Sequence, residues 1–462
     1  MIYSTQIKMV WLLFALSGLA DYPAGVLADV TQDNLDKQRN FNAVQRIYLN
    51  GVPHTDRHGR PLVRYTPGQS FFPIGMWGTP LNGESYGQRC CDWSLLSKNG
   101  YNTVWPWPHT GGTFETALKG AKEHGLQVIA MVVAAADIKK FKDHPNFLGN
   151  VWMDEPIGKL GSTDMDALFK EFLEYRQRVH QIAPDLRVFI NDAPWIVSPA
   201  TSWWVKWNTA GDVSCHDNYP IMVRRSNPRS IGADTNGIPQ SVSLAVASNK
   251  EQKPVWLIVG VFEQPTPYGH PFPFRYPTPT QLRAQVYAGI IHGATGIHYF
   301  IWDSYISRDG GNIGISPNPV NDLLRVNGKV KTSATPLQLV QARALWDTAA
   351  QINRELRELT PAILSPTVGR DVDYSVTVEG ESPTPNPIRT LLKPNPAGGF
   401  LLLTVNLDDS VLKVTYNFPK TLMAVETLFE NQPPVALKPK SGSFWQAYEP
   451  FESHIFKVAL VK

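Results

Sequence analysis

From about residue 70 onward, short and unbroken apolar runs recur along the chain. They fall at 71–78 (FFPIGMWG), 102–108 (NTVWPWP), 126–134 (LQVIAMVVA), 147–153 (FLGNVWM), 186–191 (LRVFIN), 212–217 (DVSCHD), 254–262 (PVWLIVGVF) and 294–302 (ATGIHYFIW). Continuous runs, rather than alternating ones, are the mark of parallel strands covered on both faces. Helical spacing separates several of them, at 114–124, 164–182 and 280–292, and a longer helical pattern at 336–359 follows the eighth run. Eight strands with helices between them, over roughly 290 residues, predict an α/β fold of the (β/α)8 or TIM-barrel type. A doubly wound sheet is the alternative, and the glycine-rich dinucleotide turn it would carry after the first strand is missing.

The pattern differs on both sides of this region. Residues 1–28 read as an export signal. Lys8 precedes an apolar stretch at 9–20 that is too short to span a bilayer, and Val26-Leu27-Ala28 offers small residues at a cleavage site, with a second possible cut after Ala20. Residues 29–70 form a polar lead-in followed by a β-hairpin, as Gly and Pro turns separate RIYLNG from RPLVRYTPG. The barrel is expected over 71–361. After Pro361 the text turns to strand-like runs at 370–378, 399–407, 410–418 and 453–461, so 365–462 reads as an all-β sandwich.

Composition narrows the function classes. The chain has 462 residues, 43 Lys+Arg against 40 Asp+Glu, and only 18% charged residues, with no basic stripe or acidic tail. That balance argues against nucleic acid as a partner, and against a membrane once the signal is removed. The three cysteines are the adjacent Cys90 and Cys91, plus Cys215 in an apolar run, which is neither a disulfide framework nor a zinc pattern. His109, His216, His270 and His298 form no spaced pair, and the chain has no G-x-S-x-G, P-loop or HExxH motif, so neither metal nor cofactor is expected. The unusual stock is 14 Trp, 38 Pro and 34 Gly.

In a barrel of this kind the chemistry sits at the C-terminal ends of the strands. The last five runs each end beside a carboxylate: Asp154-Glu155, Asp192, Asp217, Glu263 and Asp303. Glu155 and Glu263, after the fourth and seventh strands, face each other across a barrel mouth. Such a pair suits an acid that protonates a leaving oxygen and a carboxylate that attacks or activates water.

This arrangement resembles the retaining (β/α)8 glycoside hydrolases of clan A, the 4/7 superfamily, over about residues 46–361. The resemblance implies an enzyme that cleaves O-glycosidic bonds in an oligo- or polysaccharide, with Glu155 as acid/base and Glu263 as nucleophile. Tyr219 is similar to the tyrosine that hydrogen-bonds the nucleophile, and Trp302 to the aromatic floor under the reacting sugar. Two positions depart from the pattern. Asp154 stands where the family usually has Asn, so its contact to the sugar must differ. The arginine common near the second strand has no counterpart, and His109 is the nearest polar residue. Asp192, Asp217 or Asp303 could replace Glu263, which would permit an inverting geometry.

Aromatic residues add to the sugar reading, because flat rings stack on the apolar faces of sugar rings. Trp77, Trp107, Trp195 and Trp302 are the expected platforms, with Trp203, Trp204 and Trp207 read as a further cluster in a loop after strand five, and Trp256 as core. Loops 221–243, carrying Arg224, Arg225 and Arg229, and 264–279, rich in proline, are expected to wall the substrate. The competing reading is a barrel that binds carbohydrate without cutting it. A secreted or periplasmic location follows from the signal.

Overall fold

A computed structural model of the protein describes residues 43–461, apart from 80–92, 107–112, 132, 195–199, 223–230, 233–236, 265–273, 308–309, 317–322, 327–328, 370–371, 383–385, 431–434, 436 and 439. The segment expected to be an export signal, the paired Cys90 and Cys91, and much of both proline- and arginine-bearing loops lie outside the described residues.

Eight parallel strands close into a barrel, each hydrogen-bonded to the next in chain order and the last to the first. We number them β1 (Ile74–Thr79), β2 (Thr103–Pro106), β3 (Gln127–Met131), β4 (Phe147–Asp154), β5 (Arg187–Asn191), β6 (Ser214–Asn218), β7 (Val255–Gly260) and β8 (Gly296–Phe300). One α-helix follows each strand before the next begins: α1 (Trp93–Lys98), α2 (Phe114–His124), α3 (Ala135–Phe141), α4 (Met165–Ile182), α5 (Ala200–Ala210), α6 (Ile238–Ser248), α7 (Pro279–Ile291) and α8 (Pro336–Ile363). The (β/α)8 expectation holds: five of the apolar runs read from the sequence contain their strands, and β1, β4 and β6 each extend one residue past theirs.

Strand residues alternate between two environments. Trp77, Trp105, Ile129, Phe189, Cys215, Trp256 and Ile258 fill the barrel interior, while Val104, Val128, Val188, Leu257 and Val259 pack outward against the helices. Much of the tryptophan excess is therefore filling. Trp77 stacks on Trp105 at 4.4 Å, and Trp105 and Trp256 each meet the edge of Phe189. Glycines on neighbouring strands leave room for these rings. A Cβ at Gly296 would lie 2.7 Å from the Trp256 ring, and one at Gly75 would collide with the imidazole of His298. That imidazole accepts a hydrogen bond from Trp105 Nε1 at 2.9 Å.

Local sequence sets the helix starts nearest the active end of the barrel. Thr-Pro-x-Gln occurs at 278–281 and again at 335–338, and each forms a capping box with proline in the first turn. The Trp203/Trp204/Trp207 segment, expected as a loop, is helix α5. Trp204 and Trp207 are buried, and Trp207 packs on Phe169, Phe172 and Trp152. It is core, not a sugar platform.

Before the barrel, the expected hairpin is a small three-stranded sheet of His54–Asp56, Pro61–Leu62 and Ser70–Phe71. Between β8 and α8 the chain makes an excursion that forms a four-stranded sheet over 305–333. Downstream, a three-stranded sheet of β9 (Ser375–Glu379), β12 (Leu412–Asn417) and β14 (Ser443–Tyr448) faces a four-stranded one. The latter consists of β10 (Ile388–Pro394), β11 (Phe400–Asn406), β15 (Ser453–Leu460) and β13 (Leu422–Leu428). Both sheets contribute to one core, including Ile388, Leu402, Val414, Tyr416, Phe444 and Phe456. The other side of the four-stranded sheet, through Leu391, Leu401, Leu403 and Ile455, joins the core that surrounds the barrel. The expected sandwich is present and is seated on the barrel.

Candidate active site

At the C-terminal end of the barrel, a cleft is lined by Trp77, Asp154, Glu155, Asn191, Asp217, Tyr219, Phe262, Gln264, Phe300 and Asn312. All but Asn312 lie in or immediately after strands β1, β4, β5, β6, β7 and β8, and Asn312 is delivered by the excursion that follows β8. Gly314 lets the returning chain cross closely, since a Cβ there would sit 2.4 Å from the carbonyl of Ile301.

The polar floor is a chain of three carboxyl groups and one amide. Asn191 Nδ2 donates to Asp154 Oδ1 at 2.9 Å and to Asp217 Oδ1 at 2.7 Å. Glu155 hydrogen-bonds Asp217 side chain to side chain, and Tyr219 donates its hydroxyl to the same aspartate. Two carboxyl groups can share a hydrogen bond only if one carries the proton, and the surroundings decide which. Burial pushes Glu155 well above the usual carboxylate range, and the charges of Asp217, Asp154 and Asp192 push further. Burial also raises Asp217, but the hydrogen bonds donated by Asn191, Glu155 and Tyr219 hold it back. The surroundings therefore favour the shared proton on Glu155 over Asp217. Asp154 is raised to about 7, first by burial and then by the charge of Asp217, while the Asn191 amide works against the rise.

The backbone holds Glu155 in an uncommon conformation. Its φ of 46° and ψ of 56° place a non-glycine residue in the left-handed region, which is costly and clusters at functional sites. Three contacts fix this turn. Glu155 N donates to Asn191 O at 2.8 Å, Gly158 N donates to Glu155 O at 3.1 Å, and Ile157 N donates to Asp192 Oδ1 at 3.2 Å. The strand pairing of β4 with β5 shifts register between Val151 and Asp154, and such bulges re-aim side chains beside active sites.

The aromatic wall is continuous. The ring of Tyr219 stacks on Phe300 at 5.5 Å, Phe262 meets both edge-on at 5.1 Å, and Phe300 meets Trp77 at 6.1 Å.

Several expected site residues lie elsewhere. Glu263 does not line the cleft. The extended segment after β7 keeps the alternation of the strand, so Phe262 and Gln264 face the cleft and Glu263 faces away. Its backbone pairs with Ile313, and its carboxylate accepts from Gln338 Nε2 at 2.6 Å, at the start of α8. Asp192 is also outside, fully buried one residue past the inward-facing Asn191. There it supports the turn after Glu155, while its carbonyl accepts from Trp204 Nε1 at 3.0 Å. Trp302 is buried against Trp346 of α8, with ring centres 5.5 Å apart, and Phe300 takes the cleft position instead. Asp303 accepts from the amide of Ser304 and does not line the cleft. Trp107, His109 and Trp195 lie outside the described residues. Trp77, Asp154, Glu155, Asp217 and Tyr219 are brought together.

Reading by residue type missed Asn191, Phe262, Gln264, Phe300 and Asn312. The first four share the inward phase of their strands, which the two-residue period marks; Asn312 comes from the excursion and has no such signal. Among the described residues, no group of three or more His, Cys, Asp or Glu side chains is arranged to hold a metal ion, and no helix is long and apolar enough to cross a membrane. His216 and His298 are fully buried, and burial lowers both to about 3, so they are neutral core groups. Cys215 is a buried free thiol.

No family model and no curated protein matches the chain. Solved structures similar to it include a glycoside hydrolase family 5 protein from Bacteroides vulgatus, 14% identical over 90% of this chain and 95% of that one, with a TM-score of 0.47. A family 39 glycoside hydrolase from Bacteroides cellulosilyticus is 10% identical over 88% and 83% of the two chains, with a TM-score of 0.46. Amy13B of Eubacterium rectale is 8% identical over 89% and 98%, with a TM-score of 0.49.

Proposed function

We propose that the protein is an exported hydrolase of O-glycosidic bonds in an oligo- or polysaccharide, with Glu155 as the general acid and Asp217 as its carboxylate partner. One observation carries this reading: the carboxyl of Glu155, which its surroundings hold well above the usual carboxylate range, is hydrogen-bonded to that of Asp217 at the C-terminal mouth of the barrel, on the floor of an aromatic-walled cleft. A carboxyl with a raised affinity for its proton is what a glycosidic leaving oxygen requires, and a neighbouring carboxylate is what a developing oxocarbenium ion requires. The aromatic rings and the amides of Asn191, Gln264 and Asn312 suit a neutral polyol rather than a charged ligand.

Hydrogen-bonded carboxyls are closer than the ~5–5.5 Å of a retaining pair or the ~6.5–9.5 Å of an inverting pair. Substrate entry must therefore part them. The glycosidic oxygen replaces Asp217 as the acceptor of the Glu155 proton, and Asp217 turns to the anomeric carbon. As the C–O bond breaks, its electron pair leaves with the protonated alcohol. Asp217 then either bonds the anomeric carbon, with Glu155 later deprotonating the water that displaces it, or takes the proton of a water that bonds the anomeric carbon on the face opposite the leaving alcohol. Asp154, neutral on the acid side of about pH 7, donates a hydrogen bond as the more usual Asn would. Tyr219 orients Asp217 in both cases.

The test uses aryl glycosides and a panel of polysaccharides. Glu155→Gln and Asp217→Asn should each lower kcat by a factor on the order of 10³ or more, with folding intact by circular dichroism. Proton NMR of the first-formed sugar then separates retention from inversion. Full turnover in both variants on a substrate that the wild type cleaves would overturn the assignment.

A further inference from the structure

Far along the chain from the cleft residues, the three-stranded sheet of the sandwich presents an outer face with an unusual composition. Strands β9, β12 and β14 alternate strictly, with Val376, Val414, Tyr416, Phe444 and Tyr448 turned to the sandwich core. The opposite set forms three rows across the sheet, as the pairing shows. Thr377, Thr415 and Trp445 make the middle row, flanked by Glu379, Lys413 and Ala447 on one side and by Ser375, Asn417 and Ser443 on the other. Trp445 is 57% exposed and is the only aromatic among the large apolar side chains exposed in the described residues.

We infer that this face is a second, non-catalytic carbohydrate-binding site, with the Trp445 ring as a stacking platform for a sugar of a neutral polysaccharide. The chemistry around the ring separates this ligand from others. Its neighbours on the sheet are short hydroxyl and amide side chains, so a ligand that stacks on the indole finds donors and acceptors within the same plane. Asn417 Nδ2 already lies 3.5 Å from Thr377 Oγ1, and both can turn to a ligand hydroxyl. The face carries one cation and one anion, and these neutralise each other: Lys413 Nζ sits 2.8 Å from Glu379 and 5.8 Å from the Trp445 ring centre. An anionic polymer would need an unpaired cation. A protein partner would be expected to find an apolar centre of several side chains, whereas one ring among threonines and serines matches the amphipathic surface of a sugar. The choice of ligand class rests on the proposed glycosidase activity, but the binding does not depend on turnover.

Affinity electrophoresis of the full chain, in gels that hold xylan, galactomannan, mixed-linkage β-glucan or starch, tests the inference. At least one of these polymers should retard the wild type, and Trp445→Ala should weaken that binding on the order of tenfold. Trp445→Tyr should keep most of the binding, and hydrolysis of a small aryl glycoside should be unaffected by either change. Glu155→Gln should bind like the wild type, which places the contact outside the cleft whether or not the hydrolase reading holds. The inference fails if no polymer retards the wild type, if Trp445→Ala is retarded equally, or if Glu155→Gln loses the binding. It also fails if sedimentation shows a self-association that Trp445→Ala abolishes, since a second copy would then occupy the face.

Discussion

Asp154→Asn provides a direct measure of the electrostatic cost of the carboxyl cluster. The substitution keeps the shape of the side chain, and the Asn carbonyl can still accept the hydrogen bond that Asn191 Nδ2 donates at 2.9 Å. What it removes is a titration. In the unfolded chain the Asp154 carboxyl ionises near its ordinary value of 3.8, whereas in the folded protein it does so at about 7. Below the lower value both states hold the proton and the group costs nothing. Between the two values the unfolded state releases its proton while the folded state keeps it, so stability falls by ~1.36 kcal/mol per pH unit. Above about pH 7 both are ionised and the loss stops, at about 4 kcal/mol in total, an upper bound that includes repulsion shared with Asp217. From about pH 4.5 to about pH 8 the wild type should therefore lose about 3 kcal/mol that the Asn variant does not lose. Guanidinium unfolding at the two pH values, followed by tryptophan fluorescence, gives the gap between variant and wild type directly. A gap that widens in favour of the variant as pH rises is the expected result. A gap independent of pH would mean that Asp154 ionises as it does in water, and the description of the cluster as desolvated and mutually repelling would be wrong.

Two other substitutions separate residues inside the cleft from those that support it. Glu263→Gln should leave kcat and KM within about twofold, because its carboxylate serves Gln338 at the start of α8 and a neutral amide retains part of that hydrogen bond. Loss of activity there would return Glu263 to the catalytic machinery. Asp192→Ala should cost about 1–3 kcal/mol of stability and lower kcat more than it raises KM, because the Ile157 amide loses the acceptor that holds the turn after Glu155. Asp192→Asn keeps that acceptor and should restore most of kcat; failure to do so would mean that the negative charge of Asp192, not its support of the turn, is what the site uses.

The barrel was legible because burial on both faces writes itself as unbroken apolar runs, and all eight runs match strands to within one residue at the C-terminal end. The sandwich was less so. The runs at 399–407, 410–418 and 453–461 enclose β11, β12 and β15, and the run at 370–378 overlaps β9. Strands β10, β13 and β14 escaped. Arg389 and Lys393 in β10 and Glu426 in β13 interrupt the apolar text, although both cations are almost wholly buried. In the Trp203/Trp204/Trp207 segment the aromatic content suggests a sugar-binding loop, whereas the spacing, which places Trp203 and Trp207 one helical turn apart, is that of the helix the structure shows. The excursion over 305–333 gave no signal, and with it Asn312 was invisible.

Within the site, the difference between reading and structure comes down to phase. Residue type at strand ends selects Glu155, Asp192, Asp217, Glu263 and Asp303 without distinction. The two-residue period of an extended chain sorts most of them. Trp256 and Ile258 fill the interior of β7, so Phe262 and Gln264 continue inward and Glu263 cannot. Phe189 faces inward on β5, so Asn191 does as well and Asp192 does not. Cys215 sets the same phase on β6, carrying Asp217 and Tyr219 to the cleft. The rule breaks at two places, after Val151 and after Phe300. At the first, the bulge of β4 and the left-handed turn bring two consecutive residues, Asp154 and Glu155, into one cleft. At the second, Ile301 joins the interior and Trp302 packs outward. Adjacent residues of a regular strand point to opposite faces, so an adjacent pair of cleft carboxyls requires an irregular backbone. That irregularity, supported by Asp192 from behind, is the feature that places a proton donor beside Asp217.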